Sequence, residues 1–118
     1  MTHKKFDGQV AIITGSARGM GKATALHLAR EGASVVAVDI RQNLIEETVR
    51  EIEEEGGAAM GCVVDISDPN QVATMVSDVL NRFNTIHILV NNAGIMKRTS
   101  PAESIPLDEW KTMFDINA

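Results

Sequence analysis

The sequence predicts an α/β fold built on a doubly wound parallel sheet, and three observations carry that prediction. Four short apolar runs alternate with segments whose apolar residues recur at helical spacing. The runs are apolar at consecutive positions rather than at every second one, as strands covered on both faces are. The first run breaks off into a turn holding Gly15, Gly19 and Gly21, which opens directly onto a helical segment. Right-handed crossovers then give the strand order 3-2-1-4.

In chain order, Gln9 to Thr14 is the first strand. Met20 to Glu31, rich in Ala and Leu, is a helix that Gly32 stops. Ser34 to Val38 is the second strand and closes on Asp39. Leu44, Ile45, Thr48, Val49 and Ile52 mark a helix over Leu44 to Ile52. Glu46, Glu47, Glu51 and Glu53 to Glu55 fall outside that stripe and read as a solvated face, before Gly56 and Gly57 end the helix. Ala58 to Val64 is the third strand. Asp68 as N-cap, Pro69 at N1 and Gln71 at N3 open a helix whose Val72, Met75, Val76, Val79, Leu80 and Phe83 form a core stripe. Ile86 to Val90 is the fourth strand, and Asn91, Asn92, Ala93 and Gly94 turn the chain after it. A loop with Pro101 and Pro106 leads to a helix from about Leu107, whose apolar side carries Trp110, Met113 and Phe114 together with Asn117. The fourth run calls for a strand on each side, yet only the first strand is available to flank it. A bare apolar edge is a pairing hazard, so residues 1–118 are expected to be part of a single larger domain.

Composition narrows the functions. The chain of 118 residues is 44% hydrophobic and 23% charged, the balance of a soluble globular domain. Its net charge of −5, with Lys and Arg scattered, speaks against nucleic acid or an anionic membrane as the main partner. Cys62 is the one cysteine, which rules out an internal disulfide or a cysteine-cluster metal site and leaves it a packing role. His3, His27 and His87 lack ligand spacing, so no metal is expected. The chain passes from charged residues to the first strand without an apolar leader, and a cytoplasmic location is expected.

The glycine-rich turn decides the chemistry. A P-loop requires GxxxxGK followed by Ser or Thr, but Gly15 to Gly21 is one residue too long and Ala23 follows Lys22. The GxGxxG dinucleotide pattern also fails, because Thr24 stands where its third glycine belongs. What remains is a strand-to-helix turn in which glycines let backbone N–H groups crowd against an anion at the positive end of a helix. A phosphate fits there. Asp39, ending the second strand, can accept hydrogen bonds from ribose hydroxyls and would repel a 2′-phosphate, which favours NAD over NADP. Arg18 and Arg41 are placed to receive such a phosphate, so NADP stays open.

TGSARGMG, residues 14–21, resembles the TGxxxGxG cofactor motif of the short-chain dehydrogenase/reductase family. Asn91, Asn92, Ala93 and Gly94 match its NNAG motif, and Asp65 in VVDISD resembles the acid that contacts the adenine ring. WKTMFDIN, Trp110 to Asn117, resembles the helix ending in the asparagine that holds a catalytic lysine through water. The resemblance implies a Rossmann-type fold with cofactor contacts at Gly15, Ser16, Arg18, Gly19, Met20, Gly21, Asp39, Ile40, Asp65, Ile66, Asn91, Ala93 and Gly94. It implies metal-free hydride transfer between a nicotinamide and a secondary alcohol or ketone, in an enzyme that assembles as a homotetramer or homodimer. The family also needs a serine on a fifth strand and a YxxxK pair, and these 118 residues contain no tyrosine. The chain is therefore expected to be the N-terminal, cofactor-binding part of such an enzyme, truncated before that pair and inactive alone. A non-catalytic nucleotide-binding or interaction module is the alternative.

Overall fold

The computed structural model describes residues 4–92, so Ala93, Gly94, Asn117 and the expected last helix lie outside the described residues. Four strands, β1 (Val10–Thr14), β2 (Ser34–Asp39), β3 (Ala59–Val63) and β4 (Ile88–Asn91), form one parallel sheet in the order β3-β2-β1-β4. Helices α1 (Gly19–Arg30), α2 (Gln42–Glu54) and α3 (Pro69–Phe83) make the crossovers. This is the doubly wound order that the sequence predicts.

Alternate residues of each strand serve opposite faces. Val10, Ile12, Val36, Val38 and Cys62 pack with Val72, Met75, Val76 and Val79 of α3. Ala11, Ile13, Val35 and Ala59 pack with Ala25, Leu28 and Ala29 of α1 and with Ile52 of α2. The second face is lined by smaller side chains, which lets its helices sit close. A Cβ on Gly61 would lie 2.7 Å from Ile45 Cγ2, so α2 already occupies that space. Every residue of β1 is buried, as its central place demands, whereas β4 is half-buried along its length. β4 is shorter than Ile86 to Val90. The chain at His87 is still held to β1, because Val10 N–H donates to His87 Nδ1 at 3.0 Å and His87 N–H to Val10 O at 2.9 Å.

The helix ends follow local chemistry. Asp68 Oδ1 accepts the Asn70 N–H at 3.0 Å and Gln71 Nε2 donates to Asp68 Oδ2 at 3.1 Å, so the expected cap is formed with Pro69 at N1. Helices α1 and α2 both close in a Schellman motif: Ala33 N–H donates to Leu28 O and Gly57 N–H to Ile52 O, each at 3.0 Å. The glutamates of α2 do more than face water. Lys22 of α1 pairs with Glu51 and, at 3.8 Å, with Glu47, while Arg30 Nε meets Glu55 Oε1 at 2.8 Å. The Arg30 pair is exposed and weak in water; it joins the last residue of α1 to the residue that caps α2.

Cys62 is buried, and burial followed by the nearby Asp78 carboxylate pushes its thiol up to about 11. No helix among the described residues is long and apolar enough to cross a membrane. Ile12 is fully buried at the centre of the α3 side. Ile12→Ala is expected to lower stability by about 3 kcal/mol, read as a shift of the urea midpoint with unchanged slope.

Candidate functional site: the carboxyl edge of the sheet

Parallel pairing sets the strand ends level. Thr14 is in register with Val38 and with Asn91, and Asp39 with Val63. The β1–α1 turn, the end of β2 and the residues after β3 and β4 therefore share one edge of the sheet, where doubly wound folds bind ligands.

The turn is shaped by three glycines with different duties. Gly15 and Gly19 adopt φ of 67° and 65°, the left-handed region in which a side chain is strained. A Cβ on Gly19 would meet nothing within 4 Å, so space stands open above the start of α1. Gly21 is different. A Cβ there would fall 1.9 Å from the Gly15 carbonyl oxygen, so its bare backbone lets the first turn of α1 rest on the end of β1. The sequence reading had Gly21 admit the cofactor, but packing against Gly15 alone already demands glycine there.

This geometry leaves donors unpaired. The N–H groups of Ala17, Arg18, Gly19 and Met20 have no hydrogen-bond partner among the described residues. Arg18 and Met20 are exposed, Met20 at 79%. Unpaired amides at a helix start, with the dipole behind them, suit an anionic diphosphate. Lys22 does not join them, because it is committed to the α2 glutamates.

Other expected site residues are placed as follows. Ser16 is fully buried, and its N–H and Oγ engage Val38 O at 3.2 Å and Val38 N–H at 2.8 Å. It pins the turn to β2 and offers no hydroxyl at the surface. Asp39, only 7% exposed, accepts from Ile40 N–H at 2.7 Å, Arg41 N–H at 3.2 Å and the Arg41 guanidinium at 3.1 and 3.2 Å. Burial alone would raise the pKa of this carboxyl, but the hydrogen bonds and charge of Arg41 outweigh it and hold the group below the usual range. Ile40 beside it is 64% exposed and offers an apolar surface. Asp65 closes the turn after β3, its Oδ1 accepting from Ser67 N–H at 3.0 Å and Ser67 Oγ at 2.6 Å, while Ile66 is buried against α3. Asn91 Oδ1 accepts from Thr14 Oγ1 at 2.9 Å, a tie between β1 and β4. Sequence reasoning missed Thr14, Thr48 and the pairing of Arg41 with Asp39, all of which depend on contacts between separate segments or on rotamers.

Residues 9–118 match the family described as short chain dehydrogenase. The chain belongs to that family. Cyclohexanol dehydrogenase of Acinetobacter sp. is 35% identical over 113 residues, which cover 96% of this chain and 45% of that enzyme. Among solved structures, L-sorbose reductase of Gluconobacter frateurii, complexed with NADPH and L-sorbose, aligns with a TM-score of 0.79 at 29% identity over 98% of this chain and 48% of that one. A 7α-hydroxysteroid dehydrogenase complexed with NADH and 7-oxo glycochenodeoxycholic acid aligns with a TM-score of 0.76 at 31% identity, over 98% of this chain and 45% of that one. The chain thus spans about half the length of the relatives it matches.

The two site glycines should respond unequally. Gly19→Ala is expected to lose about 1 kcal/mol from its left-handed φ, whereas Gly21→Ala, which must push α1 off β1, is expected to lower the thermal midpoint several times further. Asp39 gives a pH signature. Its folded pKa lies below the unfolded value of about 4, so its contribution is complete above that value and is lost as pH falls through the folded pKa. Asp39→Asn is expected to reduce stability at neutral pH and to flatten the decline below about pH 4, measured by denaturant unfolding across that range.

Proposed function

We propose that this chain is the cofactor-binding part of an NAD(P)-dependent oxidoreductase that moves a hydride between a nicotinamide and a secondary alcohol or ketone. The observation that carries this reading is the row of amides from Ala17 to Met20 that have no partner among the described residues, at a turn with open space over Gly19. The bound nicotinamide supplies the carbon that gives or accepts the hydride. The chain's own residues seat and orient its carrier. Amides of the β1–α1 turn would hold the diphosphate, Asp39 would receive the adenosine ribose, and Ile40 and Asp65 would contact the adenine. Asn91 braces β4, while Ala93, Gly94 and Asn117 keep the pocket-wall and proton-network roles that the family motifs imply.

The charge at Asp39 favours NAD. Arg41 already binds both carboxylate oxygens, yet Oδ2 accepts from Arg41 alone and retains room for a hydroxyl donor. A 2′-phosphate would meet a buried carboxylate held ionised, a like-charge contact that disfavours it by several kcal/mol. The YxxxK pair that the family resemblance implies is not among these residues, which include no tyrosine.

In calorimetric titrations of the full-length protein, NADH is expected to bind at least about tenfold more tightly than NADPH, and Asp39→Ser to remove most of that difference. Equal affinities in the wild type would sink the NAD assignment. Residues 1–118 alone are expected to show no alcohol-dependent formation of NADH.

A further inference from the structure

Thr48 is a hydroxyl on the buried stripe of α2, 0% exposed, and one of its two contacts lies outside its own helix. Its Oγ1 donates to the Ser16 carbonyl oxygen at 3.1 Å and lies 3.2 Å from Leu44 O. The Leu44 contact is the ordinary one for a threonine in a helix. The Ser16 contact reaches 32 residues back along the chain, into the turn between β1 and α1.

That carbonyl is well placed to set the turn. Ser16 is already fixed to β2 through Val38, and Ala17 packs beside Ala37 and Ile45. A trans peptide points its C=O and N–H to opposite sides, and there are no cis bonds here. Drawing Ser16 O toward α2 therefore turns the Ala17 N–H away from α2. That N–H is the first of the unpartnered donors in the row. With Ser16 O left unpaired, the buried peptide would lose an acceptor bond and gain freedom to rotate, carrying the Ala17 donor with it.

We propose that Thr48 is a positioning residue for cofactor binding: it acts through the Ser16 carbonyl to hold the Ala17 amide in the orientation that receives the diphosphate. The inference rests on the reading of the β1–α1 turn as the diphosphate seat. It assigns α2, which has no expected cofactor contact of its own, a part in affinity.

The test uses the full-length protein with Thr48→Val, which keeps the shape without the hydroxyl, and Thr48→Ser, which keeps the hydroxyl without the methyl. Thr48→Val is expected to weaken NADH binding about tenfold, the size of one lost hydrogen bond, and to speed exchange of the Ser16 amide, which is bonded to Val38 O, without cofactor. Thr48→Ser should remain within about twofold of the wild type in affinity and retain slow exchange. A purely packing role predicts the reverse order, because the serine variant leaves the larger gap; that result, or unchanged NADH affinity in Thr48→Val, overturns the proposal. Should Thr48→Val fail to fold, Thr48→Ser decides alone, since faster exchange of the Ser16 amide with the hydroxyl present refutes the mechanism. If the wild type binds neither NADH nor NADPH, the reading of the turn fails first and the inference falls with it.

Discussion

The contact on which the rest depends is the seating of α1 on the end of β1, Gly21 against the Gly15 carbonyl. No side chain fits between them, so the helix begins as near the strand as two backbones allow. The turn between is then so tight that the amides of Ala17 to Met20 find no partner among the described residues. An anion-receiving surface is thus a by-product of close packing. Glycine at 15 and 19 supplies the dihedral angles of the turn, and glycine at 21 supplies the nearness.

The sheet keeps this turn rigid by asymmetric covering. Helices α1 and α2 sit on the face of small residues, Ala11, Ala37, Ala59 and Gly61, while α3 meets Ile12, Val36 and Val38. Small residues bring α2 close enough for Thr48 to reach the Ser16 peptide. Ion pairs from Lys22 and Arg30 to α2 run along the outer side of the same helix pair. Packing, capping and charge therefore converge on the two helices that frame the turn.

Much of this was legible in the residues. Buried strands announce themselves as consecutive apolar positions, and the Asp68, Pro69 and Gln71 cap is a local signal that needs no tertiary help. Of the four motifs that carry the family resemblance, the 14–21 turn, Asp65 and Asn91 with Asn92 lie among the described residues, and the sheet brings them to one edge. Other features were hidden because they are pairwise and distant. A glycine in a motif can serve a ligand or a neighbouring backbone, and only the Gly15 to Gly21 geometry separates the two. Thr48 fits an apolar stripe by spacing, so its hydroxyl looks incidental. Glutamates on a helix face look solvated until a lysine from another helix is placed opposite. Arg41 reads as a free cation beside Asp39, and only the side-chain rotamer shows it closed onto that carboxylate.

The burial of Cys62 has a practical consequence. A thiol whose proton is released only near 11 holds almost no thiolate at neutral pH, and the thiolate is the species that alkylating reagents and disulfides capture. Residues 4–92 can therefore carry a cysteine introduced on an exposed helix as their sole reactive handle, so a dye or spin label attached there would report on one chosen position without the native sulfur being removed first.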